Sequence, residues 1–164
     1  MQIASFVIDI IAAIATIVPI FIAAVTYKKD TRRKAKQDTI EAYTRLNKDV
    51  LFPISNTDKN MVREYAKIPR SEGYKKFTTY LMEIESFCIG LENKIYDFGV
   101  FYQLANHYFN SEQGVIQPRL MIILEAKKGD GADLFQYHKA LGSIRKKMDE
   151  RDRKSEKARK NITK

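Results

Sequence analysis

The sequence is poor in the residues that usually carry chemistry. It has one cysteine, two histidines, four prolines and no tryptophan in 164 residues. The lone Cys88 excludes an internal disulfide, and its apolar, helical context is typical of a small core residue. Phosphate-binding glycine loops, CxxC pairs and HExxH pairs are absent, so we expect no cofactor and no metal. Nine Tyr and nine Phe still provide bulk for a core.

Positive charge is missing from the first 27 residues, where Asp9 is the only charged side chain. All 29 Lys and Arg follow Tyr27, together with 19 acidic residues, and give that part a net charge of +10. Such an asymmetry indicates that the two parts face different media. Residues 3–26 read IASFVIDIIAAIATIVPIFIAAVT, which is long enough for a bilayer.

We therefore predict a transmembrane helix over residues 3–27. A cleaved signal peptide would carry positive charge before its apolar run, and here only Met1 and Gln2 precede it. The positive-inside rule predicts a single-pass protein of the bacterial inner membrane, with its N-terminus outside and its C-terminus cytoplasmic. A buried core helix is the alternative, but so small a domain could hardly cover this run on every side.

One face of the predicted span is small, polar or proline. Its members recur at heptad-like spacing: Ser5, Asp9, Ala12, Thr16, Pro19, Ala23 and Thr26. Small residues permit close approach of helices, and hydroxyls can hydrogen-bond across such an interface. The stripe predicts a helix interface or the lining of a pore.

Asp9 allows three interpretations. Its carboxylate can snorkel to the outer interface, or copies from several chains can converge as an acidic ring around a water-filled path. The third interpretation is packing at a helix interface without a pore.

The rest of the chain predicts an all-α fold. Residues 28–52 form a basic juxtamembrane helix, 53–148 a cytoplasmic helical domain and 149–164 a basic tail. We expect the first basic cluster to contact anionic lipid or RNA, and it consists of Lys28, Lys29, Arg32, Arg33, Lys34 and Lys36. The tail could also contact RNA or anionic lipid.

Apolar spacing locates the helices of this domain. The strongest runs from Tyr74 to Ile95, with Phe77, Leu81 and Ile84 in its apolar stripe. We expect a loop from Pro53 to Thr57, a short helix from Asp58 to Lys67, a break at Pro69 and Gly73, and a last helix that starts near Ala132. No alternating pattern of a β-strand is present.

His107 and His138 are the two histidines, and each lies among apolar residues, which favours a packed or capping role. All-helical ribonucleases of the HEPN superfamily place an Arg five to seven residues before a helical His. Before His107, those positions hold Val100, Phe101 and Tyr102. Before His138 they are residues 131–133, and none of these is Arg either. Both sites are at best degenerate, so we expect no nuclease activity.

Three segments carry a family resemblance: KKDTRRKAKQDTIEAYTRL, YLMEIESFCIGLENKIYD and GADLFQYHKALGSIR. With the N-terminal apolar run, this layout resembles the membrane accessory proteins of type VI-B CRISPR loci, which accompany an RNA-guided RNase. The resemblance implies a degenerate HEPN-like fold, a ring of identical subunits and perturbation of the membrane during phage infection. The missing arginines depart from the active HEPN pattern.

The function predicted first is a homo-oligomeric membrane pore or membrane-perturbing effector of antiviral defence, acting downstream of an RNA-guided RNase. Its expected partners are further copies of itself, membrane lipids and that RNase or RNA. Two alternatives stay open. One is a membrane-tethered module that binds or cleaves RNA, and the other is a scaffold that holds a partner protein at the membrane.

Overall fold

The structure is a computed structural model that describes residues 2–109, 114–127 and 135–162, with side chains described from Ile17 to Lys160 within those ranges. Every regular element in them is helical. In chain order these are α1 (Gln2–Leu46), a π-helical turn (Asn47–Leu51), α2 (Phe52–Asn56), α3 (Lys59–Lys67), α4 (Glu72–Glu92), α5 (Phe98–Phe109), α6 (Gln117–Lys127) and α7 (Lys139–Ile162). The all-α prediction is confirmed for the described residues.

The predicted transmembrane helix is wrong. Among the helices described, none has the combination of length and apolar character needed to cross a membrane. The predicted location, as a single-pass protein of the bacterial inner membrane, was inferred from that span and is therefore also wrong.

The core forms around α4, which packs against α1, α3, α6 and α7. Its stripe was predicted well, since Phe77, Leu81 and Ile84 are all buried. The stripe ends earlier than predicted, because Ile95 lies beyond the helix and is 57% exposed. Burial of these large apolar side chains stabilises the bundle by roughly 2 kcal/mol each.

Local hydrogen bonds explain several helix starts. The Asp58 carboxylate accepts from the Asn60 N–H at 2.8 Å before α3, and the Ser71 hydroxyl accepts from the Tyr74 N–H at 3.2 Å in α4. The segment after Pro53 was predicted to be a loop, yet it is the short helix α2. A proline in the first turn of a helix loses no hydrogen bond, so the chain can remain helical there.

The last helix begins later than predicted. Residues 132–134 lie outside the described residues, 135–137 form a turn, and α7 starts at Lys139. Its first turn is capped from another helix, because the Glu85 carboxylate of α4 accepts from the backbone N–H groups of Ala140 at 2.9 Å and Leu141 at 2.8 Å. A carboxylate at this position also interacts favourably with the helix dipole.

Replacement of Glu85 should therefore destabilise the fold. We expect Glu85→Ala to lower the free energy of unfolding by about 2 kcal/mol, because two buried N–H groups lose their acceptor, and Glu85→Gln to lower it by less. Urea denaturation followed by circular dichroism measures this change. Glu92→Ala on the exposed side of the same helix is the control, and equal losses in the two alanine variants would contradict the cap.

Candidate nucleic-acid interface

Basic side chains concentrate on two helical segments that are exposed along their length. The α1 basic segment, residues 28–36, has a net charge of +5, and the α7 basic segment, residues 151–160, has a net charge of +4. Their cations are Lys28, Lys29, Arg32, Arg33, Lys34 and Lys36 in α1, and Arg151, Arg153, Lys154, Lys157, Arg159 and Lys160 in α7. They are far apart in sequence, so their relation depends on how the two helices pack.

The direction of α1 is set by two hydrogen bonds to the α5 region. The Thr39 hydroxyl is fully buried, donates to the Ala35 carbonyl at 2.5 Å and accepts from the Asp97 N–H at 2.7 Å. One turn further on, the Tyr43 hydroxyl donates to the Leu104 carbonyl at 2.9 Å. Residue numbers rise together along both helices, so α1 runs parallel to α5.

The direction of α7 is set by contacts to the same helix. The guanidinium of Arg151 lies 4.3 Å from the centre of the Tyr102 ring, and the Tyr102 hydroxyl donates to the Asp152 carboxylate. Arg145, earlier in α7, lines a small cavity together with Phe109, the last residue of α5. Accordingly α7 runs antiparallel to α5.

Because α1 runs parallel and α7 antiparallel to α5, both basic segments extend from the bundle at the N-terminal end of α5. Beyond Thr39, α1 continues outward past the N-terminal end of α5, and α7 continues past the same end after Asp152. At 1.5 Å per residue, Lys28 lies about 16 Å beyond Thr39 and Lys160 about 12 Å beyond Asp152 along their helices. We call this combined surface the basic end.

The charges of the α1 basic segment are available to a ligand. None of its cations forms an ion pair with any residue that the structure describes. The shallow surface between the side chains of this helix is bordered by Lys28, Lys29, Arg32, Arg33 and Lys36. Such a density of exposed cations attracts polyanions over a distance of about one Debye length.

Two aromatic side chains accompany the cations. Tyr27, one residue before the α1 basic segment, is 76% exposed and offers a ring face to solvent. Tyr102 instead holds Asp152 and Arg151 in place, and its hydrogen bond to Asp152 raises the pKa of its hydroxyl group, with a smaller contribution from burial. Tyr27 is therefore free to stack on a ligand, whereas Tyr102 orders the start of the α7 basic segment.

The small-residue stripe predicted in α1 is described only in part. Ser5, Asp9, Ala12 and Thr16 lie outside the residues whose side chains are described. Pro19 and Ala23 are exposed, and the buried contacts of α1 with the bundle begin at Thr39. The stripe therefore stays a prediction of a helix interface.

The two histidines lie in different environments. His107 of α5 is exposed and contacts the ring of Tyr108, whereas His138 is 4% exposed at the start of α7. The Nε2 of His138 lies 3.4 Å from the Lys127 ammonium, and its Nδ1 has no partner among the described residues. Neither contact supplies the arginine of a HEPN-type site. Within the described ranges no cluster of His, Cys, Asp and Glu could hold a metal ion.

Sequence reasoning found both basic segments but missed that they share one end of the fold. It also missed Tyr102 and Thr39, which position α7 and α1. A buried threonine whose hydroxyl serves another helix has no signature in a single sequence, since its role depends on a residue 58 positions away.

Comparison with known proteins adds no assignment. No protein-family model matches the chain, and neither curated proteins nor solved structures include a significant match. The resemblance to accessory proteins of type VI-B CRISPR loci and the HEPN-like fold stay predictions, and function is argued from the geometry of the basic end.

The environment of His138 predicts a pH dependence of stability. Burial, followed by the nearby charge of Lys127, lowers the pKa of His138 below its ordinary value of 6.5, although Glu85 acts in the opposite direction. As the pH falls through 6.5, the unfolded chain takes up a proton that the folded chain resists. Stability present above that pH is therefore lost on acidification.

We expect the free energy of unfolding to fall between pH 7.5 and pH 5.5 in the wild type and to fall less steeply in His138→Gln. Urea denaturation at several pH values measures the two slopes, which remain comparable even if the variant is less stable overall. His107→Gln, at the exposed histidine, is the control. A wild-type slope no steeper than that of His138→Gln would show that this histidine is not the titrating group.

Proposed function

We propose that this protein is a non-catalytic RNA-binding module that holds single-stranded RNA at the basic end. The observation that carries the proposal is the shared direction of the two basic segments, because their charges then act on one ligand. Lys and Arg neutralise backbone phosphates and release condensed counterions, which provides most of the affinity for a nucleic acid. A pore would need the spanning helix that the described residues lack, so it is no longer the preferred function.

Single-stranded RNA suits this surface better than a duplex. The cations lie on two exposed helical segments, and the exposed Tyr27 ring adjoins those of α1. Stacking of a base on an aromatic ring contributes about 1–3 kcal/mol and needs an unpaired base. The resemblance to proteins that accompany an RNA-guided RNase also favours RNA over DNA.

The histidine environments support binding without cleavage. General acid–base cleavage of RNA needs a titrating group within reach of the scissile phosphate. His138 is buried near Lys127 and Glu85, directly before the first turn of α7, whereas the basic end is formed by the opposite end of that helix. RNA held at the basic end should be recovered intact.

Two matched triple variants test the RNA interface. One is Lys29→Gln with Arg32→Gln and Arg33→Gln, and the other is Arg153→Gln with Lys154→Gln and Lys157→Gln. We expect each to weaken binding of a fluorescent 20-nucleotide RNA about 10- to 100-fold at 50 mM salt, measured by fluorescence anisotropy. Each should also reduce the slope of log K against log salt by about 2, since roughly three phosphate contacts are lost.

The control is a third triple variant with the same charge change outside the basic end: Lys59→Gln, Arg63→Gln and Lys75→Gln on α3 and α4. We expect it to bind within about threefold of wild type. An equal loss in the control would show attraction by net charge alone. A loss confined to one of the two basic segments would contradict a shared interface.

Assembly of several copies is a second candidate function, and the free end of α1 favours it. Large apolar side chains are more than 45% exposed there: Ile17, Val18, Ile20, Phe21, Ile22 and Val25. At 100° per residue, most of them share one side of the helix, opposite Pro19, Ala23 and Thr26. Contiguous apolar surface of this kind marks an interaction site.

Substitution of Phe21 tests this candidate. We expect the wild type to form oligomers and Phe21→Glu to shift the particle mass toward the monomer, because a carboxylate in an apolar interface is costly to desolvate. Light scattering coupled to size exclusion measures the mass. Ile40→Glu, at a half-exposed position on the same helix beside the bundle, is the control. A monomeric wild type would exclude self-assembly.

A further inference from the structure

A cleft between α1, the π-helical turn and α4 is separate from the basic end. Its main cavity has a volume of about 400 Å³ and is lined by Ala42, Arg45, Leu46, Asp49, Glu83, Ser86, Phe87 and Tyr96. A second concavity of about 470 Å³ shares Ala42, Arg45 and Tyr96 with it and extends along α1 past Asp38 and Glu41. These volumes lie in the range of small-ligand sites.

The floor of this cleft is a rigid pair of aromatic rings. Phe87 and Tyr96 are stacked with their centroids 4.8 Å apart and their planes 17° apart. The Tyr96 ring packs directly against Gly90, since a Cβ atom at that position would lie only 2.5 Å from a ring carbon. The Tyr96 backbone N–H also donates to the Gly90 carbonyl at 3.2 Å. Only a glycine lets the ring approach the helix so closely, so the floor is preformed.

The walls of the cleft carry carboxylates with few partners. The side chains of Asp38, Asp49 and Glu83 form no ion pair or hydrogen bond with any residue that the structure describes. The Glu41 carboxylate accepts one hydrogen bond, from Gln37 at 3.1 Å. Arg45 is the one cation of the lining and likewise has no ion pair. With four carboxylates and one guanidinium, the cleft has a net charge of −3 in a chain of net charge +9.

The π-helical turn contributes to the shape of the cleft. Leu46 directly precedes the turn and Asp49 lies within it. A π-helical turn is wider than an α-helical one, so it changes which side of the helix the following residues occupy. Leu46, Val50 and Leu51 are buried by this arrangement, whereas Asp49 faces the cleft. Turns of this kind occur frequently at functional sites.

We propose that this cleft binds an aliphatic ammonium or guanidinium group, as found on a lysine or arginine side chain of a partner peptide or on a free polyamine. The cationic head would lie between Glu83 and Asp49, where charge-assisted hydrogen bonds are available. Its methylene stem would lie along Leu46 and Ala42, with the Tyr96 ring beside the charge as a cation–π partner. An anion is disfavoured by the four carboxylates.

The test measures binding of three probes by isothermal titration calorimetry: spermidine, the peptide acetyl-Gly-Lys-Gly-Lys-Gly-amide, and 1,6-hexanediol as an uncharged control of similar length. We expect at least one cationic probe to bind and hexanediol not to bind. Tighter binding of the peptide identifies a protein partner as the source of the cation, and tighter binding of spermidine identifies a polyamine. Failure of both cations to bind at millimolar concentration would overturn the proposal.

Variants locate the site. Asp49→Asn with Glu83→Gln should weaken binding of the cation at least about tenfold, and Ser86→Phe should weaken it without a change of charge by filling the cavity. The control pair Glu125→Gln with Glu150→Gln removes the same charge from exposed positions elsewhere. Circular dichroism verifies folding of each variant. Equal losses in the cleft and control pairs would overturn the proposal, whereas the RNA-binding measurements do not depend on it.

Discussion

The hydrogen bonds between α1 and the start of α5 are the constraint on which the functional surfaces depend. The Thr39 hydroxyl is buried, and its partners are the Ala35 carbonyl and the Asp97 N–H. Together with the bond from Tyr43 to the Leu104 carbonyl, it sets the direction in which α1 leaves the bundle. Buried polar groups need such partners, since an unsatisfied one costs about 1–3 kcal/mol. The long helix is therefore held in one orientation rather than attached loosely.

The same region also separates two surfaces of opposite charge. Before Thr39, α1 carries exposed cations, and from Asp38 to Asp49 another face of it lines the acidic cleft with α4. The α1 basic segment and the cleft therefore carry exposed charge of opposite net sign.

The loss of the spanning helix changes the physical interpretation of the N-terminal segment. From Ile17 to Val25 the large apolar side chains that the structure describes are exposed. Exposed apolar surface beside a highly charged segment is unfavourable in an isolated chain. The self-assembly proposed above would cover this surface, and an anionic ligand would reduce the repulsion between the basic segments of neighbouring copies.

The sequence by itself determined the helical class, the buried stripe of α4 and the positions of both basic segments, because apolar spacing and charge runs are local properties. It misassigned residues 3–27 as a membrane span, although no described helix has the length and apolar character to cross a membrane. It also placed a loop after Pro53, where a first-turn proline permits a helix. Only the tertiary structure decided which segments share an end or form a cleft. Those relations depend on contacts such as Thr39 with Asp97 and Tyr96 with Gly90 and Phe87, which spacing along a chain does not encode.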